Sequence, residues 1–382
     1  MITRIKGRVV SDGGIRNGSV YVENGKITAI TDKELPFDEE YDAKDNYVLP
    51  GLIDVHTHGA VGFDYSESDA EGVLNAIRFQ VSRGATSVMP TVTSSTLEQT
   101  YKALESIERA MGDPEYGKCI IGAHLEGPYF SPLQSGAQDK SLITEPVRED
   151  YEKLIERFGR IIKRWDFAPE RDEGGEFCKY LSAHGILPSA GHTDAKYEHM
   201  LTAREHGCRL VTHLYSCTST ITREKGFRKL GVTECAYLWD DMYVEIITDG
   251  RHLPTELLRL IFKLKPHDKI LLITDSMSVA GTTAERGRLG NLDYIIEDGV
   301  CKLLDRSAFA GSIATADRLL KVCAEAGLDV VEAVRMGSEN PAALFSLNKG
   351  KLQVGYDADI IITDEKFNVT DVFIEGEKKK CC

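Results

Sequence analysis

Val48-Leu49-Pro50-Gly51-Leu52-Ile53-Asp54-Val55-His56-Thr57-His58-Gly59 decides how the rest of the chain is read. An apolar run leads into two histidines with one residue between them. In a strand, residues i and i+2 share a face. His56 and His58 can therefore aim at one point, at the end of a strand that the preceding apolar residues bury. Gly59 ends that strand and lets the backbone turn closely. Neutral imidazole is the commonest transition-metal ligand, so the pair reads as half of a metal site. The alternative is a surface His-Thr-His in a loop, and the remaining ligands decide between them.

Outward from this stretch, short apolar strands alternate with amphipathic helices from about 51 to 345. Eight strand candidates follow one another: 52–58, 85–91, 118–126, 161–169, 186–192, 209–215, 243–248 and 269–275. Helical stretches fill the gaps at 69–83, 97–111, 148–158, 194–206 and 254–264. Such alternation predicts a parallel sheet, and eight units fit a (β/α)8 barrel. A doubly wound open sheet is the alternative. It calls for a Gly-x-Gly-x-x-Gly turn after an early strand, and the sequence has none.

The two ends have a different texture. Residues 5–10, 19–23 and 26–30 read as strands, with Asn24-Gly25 as a hairpin signal. Residues 358–363 and 371–374 read likewise. Neither end buries much alone, so 1–50 and 346–382 are expected to make one small β-sandwich domain beside the 51–345 barrel.

Composition excludes several classes. The chain has 382 residues and a formal net charge of −14, which argues against nucleic acid or an anionic membrane as the main partner. No apolar run reaches the roughly 18 residues of a membrane span. No signal-peptide core opens the chain. Nine scattered cysteines give no disulfide framework, and a cytoplasmic setting is expected. The closing pair Cys381-Cys382 reads as part of a frayed tail.

Ligand residue types recur at the strand ends: Glu126 at the third, His192 at the fifth, His213 near the sixth, Asp275 at the eighth. In a barrel these ends converge on one face. Each residue alone is ambiguous, but with His56 and His58 six in phase with the strand count point to a shared metal site. Four imidazoles and two carboxylates suit zinc or iron better than calcium or magnesium. Six ligands allow one or two divalent ions, with Glu126 bridging. A metal-bound hydroxide is then the expected nucleophile, and Asp275 the expected general acid/base. The chemistry is hydrolysis of a carbonyl or phosphoryl centre.

The chain resembles the amidohydrolase superfamily, and within it the N-acetylglucosamine-6-phosphate deacetylase family. The resemblance rests on Pro50–Gly59, His124-Leu125-Glu126-Gly127-Pro128, Ser189–His192, Thr212–Tyr215, Asp249-Gly250-Arg251-His252, Thr274-Asp275 and Ala310-Gly311-Ser312. It implies a (β/α)8 barrel with a β-domain from both termini, a homodimer, and an amino-sugar phosphate substrate. It implies that Glu126, His192 and His213 hold one metal and that Asp275 is the acid/base. Some relatives lack the first histidine pair and use one metal; this chain keeps it.

By the same resemblance, Arg223 binds phosphate, reaching a neighbouring subunit's site. His252 contacts the substrate and polarises the acetyl carbonyl. Phe309, Ala310 and Gly311 line the sugar pocket, with Ala137, Gln138, Ser216 and Cys217. Two positions depart from the family pattern. Gln138 stands where relatives have His, and Ser216-Cys217 where they have Asn-Ala. The 4-epimeric sugar phosphate, an unphosphorylated amide, another amidohydrolase reaction on a dipeptide or cyclic amide, and a non-catalytic sugar-phosphate binder are the alternative readings.

Overall fold

The computed structural model describes residues 1–379; Cys381 and Cys382 lie outside the described residues. All eight expected barrel strands form: Leu52–Thr57, Ala85–Thr93, Ala123–Glu126, Ile162–Phe167, Leu187–Ala190, Leu210–Val211, Tyr243–Ile247 and Ile270–Ile273. They lie side by side in chain order, every neighbour parallel. Consecutive parallel strands require crossovers, and the helices between them supply these. The first and last strands meet beyond their ends. Asp275 N donates to His56 O at 2.9 Å and His58 N to Ser276 O at 2.8 Å. Thr274 Oγ1 donates to Asp54 Oδ2 at 2.5 Å. These bonds close the barrel and bring the histidine pair beside Asp275.

The helices fall close to their expected ranges, at Ala70–Ser82, Leu97–Ala110, Arg148–Phe158, Tyr197–Glu205 and Thr255–Leu264. Their ends follow local chemistry. Asp69 accepts from Gly72 N at the first, and Thr96 with Gln99 forms a capping box at the second, each satisfying helix-start N–H groups. Their apolar faces join the barrel strands in the main core.

Both termini build one seven-stranded mixed sheet, with Ile360–Thr363 from the C-terminal part paired to Glu39–Pro50. The sheet curls, because the turn after Gly14–Glu23 hydrogen-bonds to residues 356–358 at its far side. The curl encloses a small core of Ile5, Val9, Val20, Ile27, Val48, Ile360, Ile362 and Phe373. Asn24 and Gly25 have φ of 51° and 76°, the positive pair a two-residue hairpin turn needs.

One element has no counterpart in the sequence reading. A four-stranded antiparallel sheet, Arg286–Leu289, Leu292–Glu297, Val300–Leu303 and Phe309–Gly311, follows the eighth barrel strand. It packs a small core of its own around Tyr294, Leu289, Cys301 and Met277, above the barrel's C-terminal face.

Candidate metal-dependent active site

Several strands stop short of the ligands expected on them. The fifth ends at Ala190, the sixth at Val211 and the eighth at Ile273. His192, His213 and Asp275 each lie two residues farther on, with φ of 45°, 28° and 48°. Non-glycine residues rarely adopt positive φ, and doing so costs free energy. The same backbone device three times over turns each side chain inward, over the mouth of the barrel. The third strand likewise begins only at Ala123, because Gly117–Cys119 forms a 3-10 turn.

Glu126 is the centre of the resulting cluster. Its Oε1 lies 3.1 Å from His192 Nε2, 3.2 Å from His213 Nε2 and 3.5 Å from His56 Nε2. Its Oε2 lies 3.4 Å from His58 Nε2. Asp275 Oδ1 lies 3.2 Å from His58 Nε2 and 3.5 Å from His56 Nε2. All six residues are buried.

Hydrogen bonding fixes which ring nitrogens face inward. His192 Nδ1 is 3.0 Å from Gln134 O, and His213 Nδ1 is 3.0 Å from Ser216 O. A carbonyl only accepts, so each Nδ1 carries the proton and donates. Each Nε2 of the neutral ring is then a bare lone pair. These two lone pairs face each other at 3.2 Å, and neither can donate to the other. A shared cation satisfies both, together with Glu126. His56 Nε2 and His58 Nδ1 are buried without a hydrogen-bond partner among the described residues. The donor set therefore fits a divalent metal: Glu126, His192 and His213 for one ion, and His56 and His58, with Glu126 and Asp275 at their edge, for a second. Groupings of His56 with His58 and Asp275, and with Glu126 and His213, are each tight enough for one ion.

The carboxylates stay ionised. Burial would raise the Glu126 pKa, but the surrounding imidazoles, His56 first, outweigh it and hold the group well below its usual range. Asp275 behaves likewise: burial raises it, while the His58 hydrogen bond and the neighbouring imidazoles bring it below the ordinary value.

A cavity of about 300 Å³ opens over the cluster. It is lined by His58, Glu126, His192, His213 and Asp275, and by the expected Ala137, Gln138, Ser216, Cys217, His252, Phe309, Ala310 and Gly311. Leu289 and Phe309, from the four-stranded sheet, form part of its wall. Asp249 accepts from His252 Nδ1 at 2.8 Å and from the backbone N–H of Arg251 and His252. Arg223 is absent from this wall. It is exposed on the hairpin Thr222–Glu224/Phe227–Lys229; the structure does not bring it to its own chain's cavity.

Sequence reading missed the polar layer beneath the cluster. Glu245, Arg164 and Asp166 are fully buried inside the barrel. Arg164 pairs with both carboxylates, and its Nη2 donates to Thr212 Oγ1 at 2.8 Å. Glu245 Oε2 reaches His56 Nδ1 at 3.2 Å. A charge set within an apolar strand run, as in Tyr243-Val244-Glu245-Ile246-Ile247, was the available signal.

Residues 47–379 match the amidohydrolase family. The chain belongs to the amidohydrolase family. This amidohydrolase is 32% identical over 354 residues to the N-acetylglucosamine-6-phosphate deacetylase of Lysinibacillus sphaericus, covering 91% of this chain and 89% of that one. The crystal structure of the Thermotoga maritima N-acetylglucosamine-6-phosphate deacetylase superposes with a TM-score of 0.88 at 29% identity, covering 99% of both chains. A Mycobacterium smegmatis deacetylase variant, in complex with N-acetyl-D-glucosamine-6-phosphate, superposes with a TM-score of 0.91 at 25% identity, covering 99% of both.

Proposed function

We propose that this amidohydrolase removes the acetyl group of N-acetylglucosamine 6-phosphate, giving glucosamine 6-phosphate and acetate. The observation that carries this reading is the six-residue cluster under a sugar-sized cavity, in a chain similar along nearly its whole length to deacetylases of that substrate. The donor set favours zinc or iron over calcium or magnesium. When bound, such an ion polarises a carbonyl and lowers the pKa of a coordinated water toward neutrality.

The chain's own groups supply the rest. Asp275, ionised and at the cavity wall, takes a proton from the attacking water. It returns that proton to the nitrogen as the amide C–N bond breaks, so that a neutral amine leaves. His252, on the cavity wall, is assigned as the donor to the acetyl oxygen. Since its Nδ1 proton is committed to Asp249, Nε2 donates only when the ring is doubly protonated. Burial raises the Asp249 pKa, but the His252 ring and the backbone N–H groups of His252 and Arg251 bring it below the ordinary value, so the carboxylate is an ionised acceptor for Nδ1.

Arg223 serves as the phosphate contact from a second copy of the chain in a homodimer. Its exposed place outside its own cavity supports this assignment. A cytoplasmic location accords with a phosphorylated substrate; among the described residues no helix is long and apolar enough to cross a membrane.

Product release from four compounds tests the reading: acetate from N-acetylglucosamine 6-phosphate, its 4-epimer and unphosphorylated N-acetylglucosamine, and aspartate from a β-aspartyl dipeptide. The first is expected to have the highest kcat/KM, with the unphosphorylated sugar lower by about 100-fold or more, the value of a lost charged contact. Equal rates with and without phosphate, or hydrolysis of the dipeptide alone, would overturn it.

A further inference from the structure

We propose that Gln138 is a positioning residue for Glu126, fixing that carboxylate as the bridge between the two halves of the ligand set. The inference rests on the metal site described above, but its test does not require the deacetylase activity.

Gln138 is 4% exposed, and both ends of its carboxamide are engaged. Oε1 accepts from Thr93 Oγ1 at 2.9 Å and from Ser94 N at 3.1 Å. A backbone N–H can only donate, so the amide orientation is determined: Oε1 faces Ser94 and Nε2 faces the cluster. Nε2 then donates to Glu126 Oε2 at 2.8 Å. Thr93 is the direct strand partner of Glu126, so the clamp and the residue it holds are anchored on the same pair of strands.

The consequence is a division of labour between the two carboxylate oxygens. With Oε2 held by Gln138, Oε1 is turned to His192 and His213 while Oε2 stays beside His58. Without the clamp, rotation about the last side-chain bond would exchange or tilt the oxygens. A histidine at this position has one acceptor nitrogen for the two donors that Oε1 serves. The glutamine thus ties Glu126 to the second barrel strand more fully.

The experiment measures zinc affinity by chelator competition and bound zinc by elemental analysis, for wild type and three variants. Gln138→Met is close in size but has no amide. It is expected to bind zinc about 10- to 100-fold more weakly, the usual effect of losing an outer partner of a ligand. Gln138→His, which keeps one donor toward Glu126, should recover most of the affinity. Thr93→Val removes one anchor behind the glutamine without touching the cavity, and should weaken zinc binding in the same direction by less. Thermal unfolding without zinc separates these effects from misfolding, and Thr93→Val serves if Gln138→Met does not fold. Wild-type zinc affinity in both Gln138→Met and Thr93→Val overturns the proposal. So does unchanged affinity with a raised KM, which makes Gln138 a substrate contact instead. Weakened zinc binding in a protein that deacetylates no sugar phosphate leaves this inference standing and removes the functional one.

Discussion

Glu245 Oε2 lies 3.2 Å from His56 Nδ1, on the ring nitrogen opposite the one that faces Glu126 and Asp275. Both residues are fully buried. Burial raises the Glu245 pKa, but Arg164 and His56 outweigh it, so the carboxylate remains ionised and His56 presents Nε2 to the cluster. Glu245→Gln keeps the shape and removes the charge. Metal affinity is expected to fall about 10- to 100-fold. Breaking the Arg164 pair is also expected to cost about 3–5 kcal/mol of stability. Chelator titration and denaturant unfolding read the two effects separately; unchanged metal affinity would remove Glu245 from the site's support.

Asp275 is asked to move a proton as well as to border the second ion. Asp275→Asn retains an oxygen ligand but cannot accept the proton. Turnover should drop by about 10²- to 10⁴-fold, with zinc at the Glu126–His192–His213 half retained. Single-turnover acetate release together with elemental analysis checks this. Near-normal turnover would contradict the acid/base role.

The histidine pair decides between one ion and two. Replacing His56 by Gln and His58 by Asn should remove one equivalent of zinc and leave the ion held by Glu126, His192 and His213. Zinc content counted per chain is the measurement. If content is the same before and after the change, the second ion does not form.

Away from the site, Lys265 is buried and donates to Ala236 O at 2.7 Å and Trp239 O at 2.8 Å. Burial lowers its pKa to about 8. The unfolded chain holds this proton up to about pH 10.4. Between these values the unfolded state binds more protons, so this group's contribution to stability rises with pH. Against Lys265→Met, which does not titrate here, wild type should therefore gain between pH 7 and 9.5, on the order of 1–2 °C in Tm. Melting curves that shift in parallel would contradict the assignment.

Much of this architecture was legible because two periodicities are strong. Apolar runs of strand length at Leu52–Thr57 and Ile270–Ile273 alternate with amphipathic helices such as Thr255–Leu264, and eight such units leave few topologies. The candidate ligands were legible because His and carboxylate types recur in phase with those runs. Their exact reach was not. His192, His213 and Asp275 sit at positive φ beyond their strands, a tertiary constraint that residue patterning does not encode. The sheet Arg286–Gly311 escaped notice because its strands are short and half exposed. The clamp of Gln138 on Glu126 and the brace of Glu245 on His56 join residues 12 and 189 positions apart. Only the folded chain brings them together.

The proposed role of these residues is to hold a metal used to deacetylate a sugar phosphate. Its most direct test is acetate release from N-acetylglucosamine 6-phosphate by chelator-stripped protein titrated with zinc. Activity should be lost on stripping and return in proportion to added zinc, with a break at one or two equivalents per chain. Full activity in the stripped protein, or no acetate release once zinc is bound stoichiometrically, would contradict the account.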